Sequence, residues 1–130
     1  MGVAAFRSAL RLFLRRSEEI AQANGLTPRR HLLLLMVKGA PDGSERATIT
    51  ELAQRMQLAQ TTVTELVRRA VEVGLLARER SSTDARVMYL RLTEEGERRL
   101  AYVFWSHRSE REKLSAMLAE LDRAPAEERR

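Results

Sequence analysis

The sequence predicts a mainly α-helical domain carrying one small β-hairpin, and three observations lead there. Aromatic residues make up only 5% of the 130 residues, so the core is built from Leu, Val, Ile, Met and Ala, which suits helices better than a large sheet. Apolar residues recur at three- and four-residue spacing over most of the chain, the period of an amphipathic helix. Between residues 75 and 92 that period gives way to two short strand-like runs joined by polar residues.

In chain order, Val3, Phe6, Leu10, Phe13, Leu14 and Ile20 form the apolar stripe of a first helix, which Asn24-Gly25 stops. Thr27 is an N-cap with Pro28 at the first helical position. This second helix runs to about Lys38, and Leu32 to Val37 makes it apolar on nearly all sides, so several neighbours must cover it. Residues 39–44, Gly-Ala-Pro-Asp-Gly-Ser, are a loop. Ala47-Thr48-Ile49 is a candidate short strand. Thr50 is expected to cap a short third helix that buries Leu52, Ala53 and Met56. After a tight turn at 57–59, a fourth helix over Thr61–Val73 turns Val63, Leu66, Val67 and Ala70 inward, with Gly74 as its C-cap. Residues 75–80 and 87–92 make the hairpin, joined by 81–86, and Met88, Leu90 and Leu92 share its core face. Thr93 starts a further helix whose first turn is acidic. Two stripes follow, one with Leu100, Val103, Phe104 and His107 and one with Leu114, Met117, Leu118 and Leu121. The sequence leaves open whether they lie on one helix or two. The chain therefore divides, within one domain over 1–130, into terminal helices (1–25 and 94–123), a central lobe (26–93) and a polar, flexible tail (124–130).

Composition narrows the function classes. No apolar run is long enough to span a bilayer, and the basic N-terminal helix lacks the unbroken apolar stretch of a signal peptide, so a cytoplasmic protein with no membrane partner is expected. The absence of cysteine excludes disulfides, thiolate chemistry and Cys-based metal sites. A net charge of +5 is compatible with a polyanionic partner. The charge is uneven: residues 1–30 carry six Arg against two Glu, and residues 59–93 carry six Arg against three Glu and one Asp.

Two short helices joined by a tight turn and followed by a β-hairpin make a winged helix-turn-helix. The second helix of such a pair can enter the DNA major groove, which is about 12 Å wide. That use needs a buried face to fix the helix and an outer face of small polar and basic groups. Gln60, Thr61, Thr62, Thr64, Glu65, Arg68 and Arg69 form the outer face. Taken singly, these residues serve equally well as helix caps and solvated charges. The array as a whole points to DNA. The hairpin tip, with Ser81, Ser82, Thr83, Asp84 and Arg86, offers phosphate contacts and an arginine for a narrow minor groove.

From Leu26 to about Leu100 the sequence resembles the MarR family of bacterial regulators. The resemblance rests on Ile49–Met56 as the first helix of the pair, Leu58–Thr64 as the start of the recognition helix and Gly74–Arg78 leading into the wing. It rests also on Asp84-Ala85-Arg86, followed six residues later by Leu92-Thr93. It implies a homodimer interlocked through the first and last helices, with each wing beside a half-site of a palindrome. It also implies that Arg86 enters the minor groove, held by Asp84. Three features depart from the family pattern. Ala59 stands where a serine cap is usual, which removes a capping bond worth about 1 kcal/mol. Glu65 replaces a basic or amide residue; it would repel phosphate but can accept from a cytosine amino group. Val71 and Val73 stand at positions that are often charged.

The two histidines, His31 and His107, are far apart in sequence and have no carboxylate at metal-ligand spacing, so both read as core or interface residues, with no metal and no cofactor. No phosphate-binding glycine loop and no catalytic triad order is present, and an enzyme is not expected. The resemblance also implies a small aromatic or anionic effector, which many family members bind between the dimer helices and the lobe, and Arg15, Arg16 and His31 are the candidates here. Two functions are therefore weighed. One is a dimeric DNA-binding regulator, read as a repressor at a palindromic operator and released by such an effector. The other is a winged-helix protein-interaction module that has lost DNA binding.

Overall fold

The computed structural model describes residues 2–123, and the expected flexible tail at 124–130 lies outside the described residues. Six helices and three short strands follow in the order α1 (Val3–Ala23), α2 (Pro28–Lys38), β1 (Arg46–Ala47), α3 (Ile49–Met56), α4 (Gln60–Glu72), β2 (Leu76–Arg80), β3 (Met88–Leu92), α5 (Glu94–Ser106) and α6 (Arg108–Arg123). The mainly α architecture with a hairpin wing is as the sequence predicts.

Local chemistry sets most boundaries. The Thr27 side chain accepts from Arg30 N at 3.2 Å, with Pro28 at the first helical position of α2. The cap of α3 differs from expectation: Thr48, not Thr50, is the N-cap. Thr48 and Glu51 form a capping box, in which Thr48 Oγ1 accepts from Glu51 N and Glu51 Oε1 accepts from Thr48 N. Helix α3 thus begins at Ile49, and the short strand moves back to Arg46–Ala47. Gln57 closes α3 in the left-handed conformation, φ 56°. Helix α4 begins at Gln60, one residue earlier than expected, and its N-cap Ala59 makes no side-chain capping bond.

The strands form an antiparallel sheet ordered β1-β3-β2, with Ala47 opposite Leu90 and Leu76 opposite Leu92. Leu90 and Leu92 are buried, as expected for the core face of β3. The core joins Leu33, Leu34 and Val37 of α2 to Leu52 of α3, Val63, Val67 and Ala70 of α4, and the base of the hairpin. Helix α2 runs through this core, with His31, Leu33, Leu34 and Val37 buried and Leu35 left exposed. The C-terminal stripes lie on two helices, separated at His107.

One junction joins the lobe to the C-terminal helices. After α4 the chain turns through Gly74, φ 78°, and buries Leu75. Thr93 returns there: its N–H donates to Leu75 O at 3.1 Å and its hydroxyl to Gly74 O at 2.5 Å, while the same hydroxyl oxygen caps α5 by accepting from Gly96 N. Gly96 packs so closely that a Cβ there would lie 2.2 Å from Leu75 O. Helix propensity favours Ala over Gly by about 1 kcal/mol, but the clash is with backbone that cannot swing away. Gly96→Ala is therefore expected to destabilise the fold by about 2–3 kcal/mol, measured by urea or thermal unfolding.

Candidate nucleic-acid interface

The outer face of α4 is exposed along Gln60, Thr61, Thr64, Glu65, Arg68 and Arg69, and Thr62 is half-buried. Its inner face is fixed by Val63, Val67 and Ala70, all buried. Several outward groups are already engaged. Gln60 Nε2 donates to Thr50 Oγ1 on α3 at 3.1 Å, and the Thr64 hydroxyl donates to Gln60 O at 2.8 Å. Glu65 holds both arginines. Its Oε1 accepts from Arg68 Nη2 at 2.6 Å and Arg69 Nε at 3.0 Å, and its Oε2 accepts from Arg68 Nε at 2.9 Å. Glu72 takes the remaining Arg68 contact at 3.2 Å. These bonds lower the Glu65 carboxyl to about 2, so it stays ionised at any physiological pH. Both arginines of the expected DNA-facing array are thus ion-paired within their own helix.

The hairpin tip is ordered by its own side chains. Ser81 Oγ accepts from the N–H groups of Thr83 and Asp84, both at 3.2 Å, while Ser82 is exposed. Asp84 Oδ1 accepts from Arg86 N at 3.0 Å and from Arg86 Nε at 3.2 Å. These contacts, the side-chain one foremost, hold the Asp84 carboxyl below the ordinary carboxylate range. The Arg86 side chain remains 91% exposed, oriented but not covered. Arg80 braces the tip by donating to Ala85 O. Arg78 and Arg80, both exposed on β2, were not singled out from sequence; their alternation along a hairpin strand was the available signal. Across the sheet Glu79 pairs with Arg46 and Arg91, and the Arg46 guanidinium lies 4.1 Å from the Tyr89 ring centroid.

The candidate effector residues separate. A cavity of about 400 Å³ opens between α1, α2 and α5, lined by His31 together with Phe13, Leu32, Leu100, Phe104 and His107. Arg15 and Arg16 do not line it. Arg16 pairs with Glu110 at 3.1 Å beside a groove between α1 and α6, and Arg15 sits on the outer side of α1. Phe13, Leu14, Ser17 and Glu18 carry the cavity-facing side of α1, and the helical period turns Arg15 and Arg16, which lie between them in sequence, to other faces. Arg29 and Arg111 are the basic residues at this cavity instead. His107, distant in sequence, faces the same space, because α2 packs on α5. It stacks on Phe13 with ring centroids 4.8 Å apart. Its Nδ1 lies 2.8 Å from Val103 O, and its buried Nε2 has no partner among the described residues. With the proton on Nδ1, Nε2 offers a lone pair to the cavity. Among the described residues no group of three or more His, Cys, Asp or Glu could hold a metal ion, and no helix is long and apolar enough to cross a membrane.

A sequence model described as the MarR family matches residues 24–87. The transcriptional regulator AdcR of Streptococcus pneumoniae is 32% identical over 78 residues, covering 60% of this chain and 47% of that protein. The chain therefore spans about half the length of the curated relatives it matches. Among solved structures, a transcriptional regulator from Thermotoga maritima shares the fold with a TM-score of 0.72 at 23% identity, over 88% of this chain and 78% of that one. A mutant MarR from E. coli complexed with operator DNA gives a TM-score of 0.66 at 17% identity, over 96% and 83% of the two chains.

Burial of His31, next to His107, lowers its pKa, with Glu18 opposing the shift. The folded state thus prefers neutral His31, while the unfolded chain takes up a proton near pH 6.5. The unfolded state binds more protons between the lowered pKa and about 6.5, so stability falls as pH drops through that window. Thermal unfolding between about pH 7.5 and 5 should show this decline, and His31→Gln should flatten it.

Proposed function

We infer from the family model matched over residues 24–87 that the chain is a MarR-family protein, and we propose that it is a sequence-specific DNA-binding transcriptional regulator, a repressor that occupies a palindromic operator as a homodimer. The carrying observation is the wing. Arg86 is oriented by Asp84, left almost wholly exposed, and flanked by Arg78 and Arg80 on one projecting hairpin. A narrow minor groove concentrates negative potential that attracts such an arginine. Beside it, α4 supplies a helix fixed by a buried face, with the Thr61 hydroxyl exposed near its N-terminus. Helix N-termini favour phosphate, and an exposed hydroxyl can reach phosphate or a base edge. In this reading Ser81, Ser82 and Thr83 contact the backbone, Arg86 the minor groove, and the α4 face the major groove.

The dimer is supported by apolar surface on the terminal helices. Leu12 and Leu14 of α1, Phe104 and Trp105 of α5, and Leu118 of α6 are all exposed. Surface of this kind on adjoining helices marks an interaction site more often than chance exposure. The effector reading moves to the His31–His107 cavity, whose apolar walls and few polar groups suit a small aromatic ligand, with Arg29 and Arg111 present for an acidic substituent.

A second reading, a winged-helix protein-interaction module, is favoured by one observation. The four charged residues of α4, Glu65, Arg68, Arg69 and Glu72, cancel. Salt-dependent DNA binding separates the two readings.

A selection of genomic fragments with the purified chain should return a palindromic site. On that site Arg86→Ala should weaken binding by roughly ten- to hundredfold, and Arg68→Ala should weaken it or change base preference. Undiminished binding by both variants would overturn the residue assignment. Sedimentation at micromolar concentration should give a dimer, and Leu118→Glu combined with Leu12→Glu should give a monomer.

A further inference from the structure

We propose that Glu65 sets the selectivity of the recognition helix by holding Arg68 and Arg69 off the phosphate backbone, so that only base-matched DNA repays opening the clamp. The inference rests on the DNA-binding reading above and deepens it. One carboxylate accepts three hydrogen bonds from two guanidinium groups, at 2.6, 2.9 and 3.0 Å, a fork that geometry alone makes specific. Glu72 adds only one contact, to a different Arg68 nitrogen. All four side chains are exposed on the outer face of α4, so the clamp lies where a duplex would dock.

The consequence follows from the sources of DNA affinity. Non-specific binding comes from cations that displace counterions from phosphates. An arginine already neutralised displaces none, so α4 contributes little to it. The wing supplies that component through Arg78 and Arg80, which are exposed and have no carboxylate partner among the described residues, unlike Arg86. A base edge can replace the clamp where its hydrogen-bonding groups match. A guanine O6/N7 pair receives a guanidinium in the same bidentate way as a carboxylate does, and a cytosine amino group can donate to the released Glu65. Mismatched sequence offers neither, and the clamp stays closed. The low carboxyl pKa of Glu65 means the device does not depend on pH in the physiological range.

The test compares the full chain with Glu65→Gln on two duplexes, a wild-type-selected site and a scrambled one of equal length, at several salt concentrations. Glu65→Gln should bind the scrambled duplex roughly three- to tenfold more tightly near 0.1 M salt. Its log–log salt slope there should be steeper by about one to two, the value for one or two freed arginines. The selected site should gain less, so the specificity ratio falls. Glu65→Ala should reproduce the effect, Glu72→Gln should give a smaller one, and circular dichroism should show each variant folded. An unchanged slope, or equal gains on both duplexes, overturns the proposal. Loss of affinity for the selected site alone also overturns it, assigning Glu65 to direct base contact. Failure of the wild type to bind any duplex sinks the DNA-binding reading itself, a result distinguishable from the others.

Discussion

The close approach of Gly96 to Leu75 is the constraint on which the geometry of this protein depends. Two chain segments about twenty residues apart meet backbone to backbone: the turn that leaves α4 and the first turn of α5. Thr93 fastens the meeting with its N–H and its hydroxyl, and uses the same oxygen to cap α5. Everything between the two segments is the hairpin, so this junction fixes the wing against the end of α4 and both against α5. Interiors packed this tightly do not deform smoothly. The outward face of α4, the wing and the start of α5 are therefore one body.

That rigidity gives the His31–His107 cavity mechanical significance. His107 lies at the far end of α5 from Gly96, and His31 lies on α2, the helix at the centre of the lobe. A ligand between them would press on α5 at one end and on the lobe at the other. Its effect on DNA geometry depends on its differential affinity for the two arrangements, not on contact with the DNA-facing elements. The buried Nε2 of His107 has no hydrogen-bond partner among the described residues and lies beside this cavity. A ligand carrying a donor would satisfy it.

Much of this was legible in the sequence because local signals agreed with tertiary packing. Thr27-Pro28 and Thr93 each start a helix by a mechanism that acts within a few residues, and both stand where expected, whereas Gly74, expected as the C-cap of α4, lies one residue past the observed C-cap Val73. The alternation of β3 correctly gave the core face at Leu90 and Leu92. The cap of α3 stands at Thr48 rather than at the expected Thr50 because Thr48 has Glu51 three residues on, and the reciprocal pair outweighs a single hydroxyl. Other features were not local. No glycine or proline marks the break at His107; the residues on either side are helical, and tertiary packing sets the division. The pairing of His31 with His107 exists only because α2 packs on α5. The Glu65 clamp was readable in part, since carboxylate and guanidinium groups three and four residues apart share a helix face. Its consequence, that both arginines are occupied, needed the observed geometry.

A neutral recognition helix also bears on why two copies would be needed. Helix α4 begins without a capping side chain and presents arginines that must leave a carboxylate before they meet a base. In the proposed function one such helix with one wing would be a weak reader of DNA, because Arg68 and Arg69 would first have to leave Glu65. Joining two readers makes the second association intramolecular, at an effective concentration in the millimolar range for a short connection, and more favourable when that connection is rigid. The exposed leucines of α1 and α6 lie on the helices that would make the connection, and the Gly96–Leu75 junction keeps each reader rigid against α5. In such an arrangement weakness of the single half-site would serve discrimination. A mismatch in one half would leave the clamp closed on that side, and the affinity lost would be that of a whole arm rather than of one base pair.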